Sequence, residues 1–110
     1  MRRISGVLLT LLAALVLAAP AGATMHKVSF TSAVSPNSTA SLTVRVSPRA
    51  RCTIEVIYDT VVSHAQGLVP KTGGLITWRW KVGSTTHAGR WPVIVRCGKS
   101  GTLRLLLHVA

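Results

Sequence analysis

Acidic side chains are nearly absent from this chain of 110 residues, which has two of them against thirteen lysines and arginines. The two acids are Glu55 and Asp59. Triad-type nucleophilic catalysis needs a base that is held by an acid, so little material is left for a hydrolase. Asp59, Ser63 and His64 are close in sequence, but no nucleophile-elbow motif accompanies them. We predict a protein without enzymatic activity and without catalytic residues.

Metal-binding and cofactor-binding motifs are lacking as well. The four histidines lie at positions 26, 64, 87 and 108, and no two of them have the spacing of metal ligands. The glycines Gly73, Gly74 and Gly98 are typical of turns and do not form a phosphate-binding motif. Asn37-Ser38-Thr39 matches a glycosylation sequon, although a turn is sufficient to explain it. We therefore predict no metal site and no cofactor.

Long apolar runs are limited to the N-terminus. Two arginines precede an apolar run from Val7 to Ala19, and the small residues Ala21-Gly22-Ala23 follow, which is the pattern of a secretory signal peptide. The run is shorter than the roughly 20 residues of a membrane span, and no lipoprotein cysteine follows it. We predict a signal-peptide helix over 1–23 and one secreted domain over 24–110, with no membrane span after cleavage.

Cysteine is scarce too, and Cys52 and Cys97 are the two that the chain contains. Small exported domains commonly need a covalent staple, and their compartment is oxidising. The two residues are therefore predicted to form a disulfide, which contributes about 4 kcal/mol by the chain-entropy estimate. The alternative is a pair of unrelated buried thiols.

Helical periodicity does not occur after the signal segment, whereas alternation with a period of two recurs between turn-forming clusters. The turns fall at 35–39, 47–51, 83–90 and 98–101, and the irregular region 60–74 has room for one short edge strand. Pro92 lacks a donor, so it is expected at a strand entrance, before regular pairing begins. The side chains predicted to face inward are Val28, Phe30, Leu42, Val44, Val46, Cys52, Ile54, Val56, Tyr58, Ile76, Trp78, Trp80, Val82, Trp91, Val93, Val95, Cys97, Leu103, Leu105, Leu107 and Val109.

Six or seven such strands predict an all-β fold, a Greek-key β-sandwich of antiparallel strands with immunoglobulin-like topology. In that topology Cys52 begins the third strand of the sandwich and Cys97 ends the fifth. These strands are neighbours in one sheet, so we expect the disulfide to join adjacent strands at one pole and not to cross the core between sheets.

Two long segments also resemble a known group of domains. They are "VSPNSTASLTVRVSPRARCTIEVIY" and "GLVPKTGGLITWRWKVGSTTHAGRWPVIVRCG", with the motifs C-x-I-x-V-x-Y, W-x-W-x-V-G and W-P-V-x-V-x-C. The chain resembles the small immunoglobulin-like domains of secreted bacterial proteins over nearly all of 24–110. The resemblance implies a β-sandwich without catalysis of its own. Asn37-Ser38, Arg49 and a shortened loop before Leu75 depart from the pattern.

The tryptophans have two interpretations. Trp78, Trp80 and Trp91 could form a stacking platform for sugars or bases. Their shared phase with Ile76 and Val82 favours the core, with Trp91 the least certain because it lies near a loop.

The cations are the main candidates for binding. Removal of Arg2 and Arg3 with the signal lowers the formal net charge from +11 to +9, which favours contact with wall polymers, acidic lipids or nucleic acid. Two predicted turns at the disulfide pole carry a candidate anion-binding cluster of Arg49, Arg51, Arg96 and Lys99. A second basic group is predicted on outward positions, at Lys27, Arg45, Arg79 and Lys81. Ordinary solvated charge is the alternative for both groups.

One apolar group lies in the polar phase of its strands. Ile57, Ile94 and Leu106 would form a stripe on the outer face of one sheet, which marks either a partner surface or a face covered by the 60–74 segment. The sequence thus predicts a secreted binding or interaction module at or near the bacterial cell envelope, whose partner is an envelope protein or an anionic polymer. A charge-driven binder of polyanions, nucleic acid included, is the alternative.

Overall fold

The computed structural model describes residues 22–110, and the all-β prediction is confirmed. Of the predicted signal peptide, residues 1–21 lie outside the described residues. Among residues 22–110 no helix is long and apolar enough to cross a membrane. The elements are β1 (Thr24–Phe30), β2 (Ala33–Val34), β3 (Thr39–Tyr58), β4 (Val61–Val62), β5 (Lys71–Lys81), β6 (Gly89–Arg96), a 3-10 turn (Gly98–Ser100) and β7 (Thr102–Val109).

The seven strands form one curled sheet around the long strand β3. β1 pairs with the first part of β3, and β5 pairs with the same part and with Ala50–Cys52. β6 pairs with the second part of β3, over 53–56, and β7 pairs with β6. β2 runs parallel to the end of β7, so the prediction that all strands are antiparallel is wrong at this pair.

β3 continues through the turn predicted at 47–51, and that prediction is wrong. In the pairing with β5, Arg45 lies opposite Leu75 and Ala50 lies opposite Gly73, so extra residues of β3 loop out between them. A bulge bends and twists its strand, which lets β3 serve both groups of strands without a break. The bulge contains the cis peptide bond Ser47–Pro48.

The core lies between the two groups of strands that β3 connects. Leu42, Val44 and Ile76 from one group form a single buried cluster with Val56 and Val93 from the other. The alternation read from the sequence accounts for this cluster, because every second residue of a strand faces the same way. Phe30, Ile54, Tyr58, Leu103 and Leu105 are only partly buried and pack against its margin.

Val28 is an exception to the predicted inward phase, because its side chain is 49% exposed. Lys27 pairs with Val44 and Ser29 pairs with Thr43, so Val28 is an extra residue in a bulge of β1. The bulge shifts the phase, and Met25 packs against the core from this strand.

Trp78 and Trp80 fill the core, with 0% and 1% exposure. The indole Nε1–H of Trp78 donates to the carbonyl oxygen of Val69 at 2.8 Å, and that of Trp80 donates to the Tyr58 hydroxyl at 3.2 Å. Their ring faces are therefore not free for stacking on a ligand. Trp91 is half-buried and donates to the His87 carbonyl oxygen at 3.0 Å.

The segment 60–74 contacts β3 through Val61–Ser63 and β5 through Gly67, and its last four residues belong to β5. A Cβ at Gly67 would overlap the backbone oxygen of Arg79, so this part of the loop lies directly on the β5 backbone. The predicted edge strand is β4, and it pairs Val61 with Tyr58 and Val62 with Ile57. β5 begins at Lys71, before the predicted start at Leu75.

Pro92 lies inside β6, three residues after Gly89, and pairs with Leu106 of β7. Pairing with β3 begins only at Val93. The expectation that Pro92 precedes regular pairing is therefore confirmed on the β3 side and wrong on the β7 side.

Candidate functional site

The disulfide predicted between Cys52 and Cys97 is present and joins neighbouring antiparallel strands. Cys52 immediately precedes Thr53, and Cys97 immediately follows Arg96, the residue that pairs with Thr53. The Cα atoms of the two cysteines are 4.2 Å apart. Both cysteines are fully buried. The bridge therefore lies within one layer at the pole of the fold, as expected, and does not cross the core.

A tight turn follows Cys97 and connects β6 to β7. The Ser100 N–H donates to the Cys97 carbonyl oxygen at 3.1 Å, and the Cys97 N–H donates to the Gly101 carbonyl oxygen at 3.0 Å. Gly98 and Gly101 have φ angles of 57° and 101°, which glycine adopts without strain. These bonds fix the position of Lys99 in the middle of the turn.

The β3 bulge faces this turn across a pocket of about 450 Å³. Residues of both elements line it, and the Cys52–Cys97 disulfide links the two elements. The lining residues are Ala23, Pro48, Arg49, Ala50, Arg51, Cys97, Gly98, Lys99 and Ser100.

The charge of the pocket is entirely positive. Arg49, Arg51 and Lys99 are exposed cations on its wall. Within residues 22–110 the carboxylates of Asp59 and Glu55 contact His87 and Arg96 respectively, so none of the three has an acidic partner there. Three cations on one concave wall can bind an anionic group, and guanidinium groups do so with two parallel hydrogen bonds.

Arg96 is placed apart from the other members of the predicted cluster. It does not line the pocket, and its Nη1 atom lies 3.7 Å from Oε1 of Glu55 on the neighbouring strand. The fold therefore brings three of the four predicted cations together. Cross-strand pairing explains the difference, because Arg96 faces outward beside Thr53 and Glu55.

The second predicted basic group, Lys27, Arg45, Arg79 and Lys81, does not share one face, because Lys27 differs from the other three. This residue pairs with Val44, whose side chain faces the core, so Lys27 does not share the outer face of Arg45. His26 lies opposite Arg45 in its place. Arg79 and Lys81 lie opposite Ser41 and Thr39 and are exposed, as predicted.

The predicted apolar stripe shares one face, but its members differ in exposure. Ile94 lies between Glu55 and Arg104 in the register, is only 5% exposed, and does not belong to the main core cluster. Its outer-face neighbours therefore cover it. Ile57 is half-buried beside Val62 of β4, and Leu106 is 56% exposed. Leu106 is the member that remains accessible.

Asp59 contacts a histidine other than the one considered from sequence. Its Oδ2 atom lies 2.9 Å from Nδ1 of His87, and the Ser63 hydroxyl accepts a hydrogen bond from the Ala65 N–H. The Asp59–Ser63–His64 arrangement is thus not supported by these contacts. Within the described part of the chain, no group of three or more His, Cys, Asp or Glu side chains is placed to hold a metal ion.

Sequence reasoning missed several groups around the disulfide. The Met25 Sδ atom lies 3.2 Å from the Cys97 Sγ atom, which places the start of β1 against the bridge. Ala23 and Pro48 complete the pocket. The one sequence signal for this pocket is the position of Pro48 close to Arg49 and Arg51, because the β3 bulge itself has no distinctive sequence pattern.

The surroundings of Tyr58 shift the pKa of its hydroxyl. Partial burial raises the pKa of its hydroxyl above the ordinary tyrosine value, and the hydrogen bond from Trp80 acts in the opposite direction. The neutral hydroxyl is therefore the favoured form in the folded protein.

Comparison with known proteins adds no assignment: no protein-family model matches the chain, and no curated protein matches it either.

Proposed function

We propose that this protein is a secreted, non-enzymatic, immunoglobulin-like binding module that acts at or near the bacterial cell envelope. We further propose that its disulfide-pole pocket, lined by Arg49, Arg51 and Lys99, binds anionic groups of an envelope polymer or protein. The observation that carries the proposal is the convergence of three cations without acidic partners, within the described residues, on one concave wall.

Strand pairing supports the immunoglobulin-like assignment. One group of strands consists of β1, the first part of β3, and β5, whereas the other consists of the second part of β3, β6, β7 and β2. The two groups bury one common cluster, as two packed sheets do. The unbroken β3 is a departure from the separate strands that we expected.

Secretion is supported by two independent features. The N-terminal pattern over 1–23 is that of a signal peptide, and a buried Cys52–Cys97 disulfide is typical of proteins in oxidising compartments. In this proposal export matters for the pocket, because the disulfide that forms in an oxidising compartment holds the two walls of the pocket together.

A binding role is favoured over ordinary solvated charge by the rigidity of the pocket. Lys99 lies in a turn held by backbone hydrogen bonds, and Arg51 precedes the disulfide-bonded Cys52. Their backbone positions are therefore fixed before a ligand arrives, which lowers the entropic cost of binding.

A pair of charge-matched variants tests the pocket. One variant changes Arg49, Arg51 and Lys99 to Ser, and the control changes Arg45, Arg79 and Lys81 to Ser, which are exposed on β3 and β5 outside the pocket. Binding to duplex DNA, to poly(glycerol phosphate) and to polyglutamate is measured at several salt concentrations. Each phosphate contact adds about 0.9 to the slope of log K against log salt on DNA. We expect the pocket variant to lose roughly 3 from that slope and the control to lose much less.

The three polymers separate the proposal from its alternative. Preference for one polyanion, lost only in the pocket variant, is the result expected of a site. Equal losses in both variants would support a general charge-driven binder of polyanions, nucleic acid included. If the unmodified protein binds none of the three at low salt, the anion-binding proposal is wrong.

A further inference from the structure

The far edge of β7 is open along most of its length. β6 pairs with β7 from Thr102 to Val109, whereas β2 pairs with it only at His108 and Val109. Among residues 22–110 no other strand pairs with this edge between Thr102 and Leu107. A row of unpaired backbone groups of this kind is a template for an additional strand.

The hydrogen bonds of β2 identify which backbone groups are free. The His108 N–H donates to the Ser32 carbonyl oxygen at 2.8 Å, and the Ala110 N–H donates to the Val34 carbonyl oxygen at 3.0 Å. Successive residues of a strand direct their backbone groups to opposite sides. The even-numbered residues of β7 therefore point away from β6, and the N–H and C=O groups of Arg104 and Leu106 lie on the open edge.

Pro92 gives an independent check of this assignment. It lies opposite Leu106 in β6 and has no N–H to donate. The Pro92–Leu106 pair must then be of the non-hydrogen-bonded type, in which both residues direct their backbone groups away from each other. Leu106 consequently bonds nothing in β6 through its backbone.

The side chains along this edge are apolar on the inner face, whereas the outer face carries both Arg104 and the apolar Leu106. Leu103 and Leu105 face the core side but are only half-buried, whereas Arg104 and Leu106 are exposed on the outer face. An added strand would place alternate side chains against these two surfaces. Apolar residues suit the inner positions beside Leu103 and Leu105.

Charge favours an acidic partner over a second copy of the chain. Within residues 22–110, neither Arg104 nor Arg90 contacts a carboxylate, and Arg90 lines a pocket of about 260 Å³ with Leu106 and His108. Two copies paired through β7 would bring Arg104 side chains and two strongly basic domains together.

We propose that the open edge of β7 accepts an extended segment of a partner protein as an additional β-strand, and that this segment alternates apolar with acidic residues. The proposal does not depend on anion binding at the disulfide-pole pocket, because none of Leu103, Arg104, Leu105 and Leu106 lines that pocket.

Residue-resolved hydrogen exchange tests the proposal. The probe is a short blocked peptide in which valine and glutamate alternate, added to the protein purified as the cell processes it. At ten times the dissociation constant, exchange of the Arg104 and Leu106 amides should slow about tenfold. The Leu103 and Leu105 amides already point to β6 and should not change. Absence of protection at 104 and 106 would overturn the proposal.

A proline substitution separates edge pairing from contact with the outer face. Leu106→Pro removes an N–H that bonds nothing in β6, so the ladder with β6 is retained while peptide binding is lost. Leu106→Ala keeps the N–H and should weaken binding only partly. If Leu106→Pro binds as well as the unmodified protein, the edge is not the site.

The probe itself supplies the remaining controls. A peptide N-methylated on the amides that face β7 should not bind, and this result requires no change to the protein. A peptide with lysine in place of glutamate should bind at least tenfold more weakly. Equal binding of both peptides would overturn the acidic preference. Protection of the same amides by protein concentration alone would assign the edge to a second copy.

Discussion

Cys52 and Cys97 lie side by side on β3 and β6, one position beyond the Thr53–Arg96 pair, with their Cα atoms 4.2 Å apart. The bridge therefore adds a covalent link at the end of a ladder that hydrogen bonds already define. It joins the β3 bulge, which carries Arg49 and Arg51, to the turn that carries Lys99. Stability of the fold and shape of the pocket depend on the same bond.

Replacement of Cys52 and Cys97 together with Ser should lower the free energy of unfolding by about 4 kcal/mol, because the unfolded chain is no longer closed into a loop. Urea denaturation of this variant beside the oxidised protein measures the loss. Mass spectrometry without a reductant should show the purified protein two hydrogens lighter than its reduced form. Two free thiols in that sample would contradict the prediction.

Trp78→Ala and Trp80→Ala should each cost about 3–5 kcal/mol, because both side chains are fully buried and their removal leaves a large cavity. This approaches the total stability of a small domain. Thermal and urea melts measure the effect. Trp91→Ala is the comparison within the same chain, and its half-buried side chain should cost less. Parent-like melting of both core variants would mean that the packing is described wrongly.

The core could be predicted from sequence because strand alternation is a local rule, and the disulfide could be predicted because the chain has two cysteines. Alternation placed Leu42, Val44, Trp78 and Trp80 inward, and the register of adjacent strands then brought the two cysteines together. The predicted orientations of Val28 and Lys27 are wrong, because a single-residue bulge reverses the inward–outward alternation of β1 and has no sequence signal of its own.

The candidate site was predictable only in part. Sequence reasoning placed Arg49, Arg51 and Lys99 at one pole, and the pocket brings these three together. Arg96 differs because its orientation is decided by the strand next to it, where Glu55 is the neighbour. The open edge of β7 could not be read from sequence either, since it depends on where β2 stops pairing.

Gly67→Ala should destabilise the protein by about 2 kcal/mol or more. Gly67 has a φ angle of 102°, which residues with a Cβ rarely adopt, and the new methyl group would overlap the Arg79 carbonyl oxygen. Gly73→Ala is the matched control, because a Cβ there meets its neighbours at ordinary contact distances of 3.6 Å or more. Denaturant unfolding of both variants measures the difference. Equal stabilities would show that the loop at Gly67 does not pack tightly on Arg79 of β5.

Tyr58→Phe should change how stability depends on alkaline pH. Burial raises the pKa of Tyr58 in the folded protein, while the unfolded chain has the ordinary value near 10. Below about pH 10 both states hold the proton, so the contribution of Tyr58 to stability is constant. As the pH rises through that value, the unfolded chain releases its proton first, and the folded state loses stability.

The Tyr58→Phe variant lacks this titration but also leaves the indole N–H of Trp80 without its acceptor, which costs about 1–3 kcal/mol at neutral pH. The difference in unfolding free energy between the parent and the variant should therefore narrow as the pH rises above about 10. Urea unfolding across that range measures this difference. Tyr58 is the single tyrosine of the chain, so the absorbance of tyrosinate reports its ionisation directly in the folded protein. A constant difference, together with tyrosinate forming at the ordinary pKa, would mean that the Tyr58 hydroxyl is open to solvent and does not accept from Trp80.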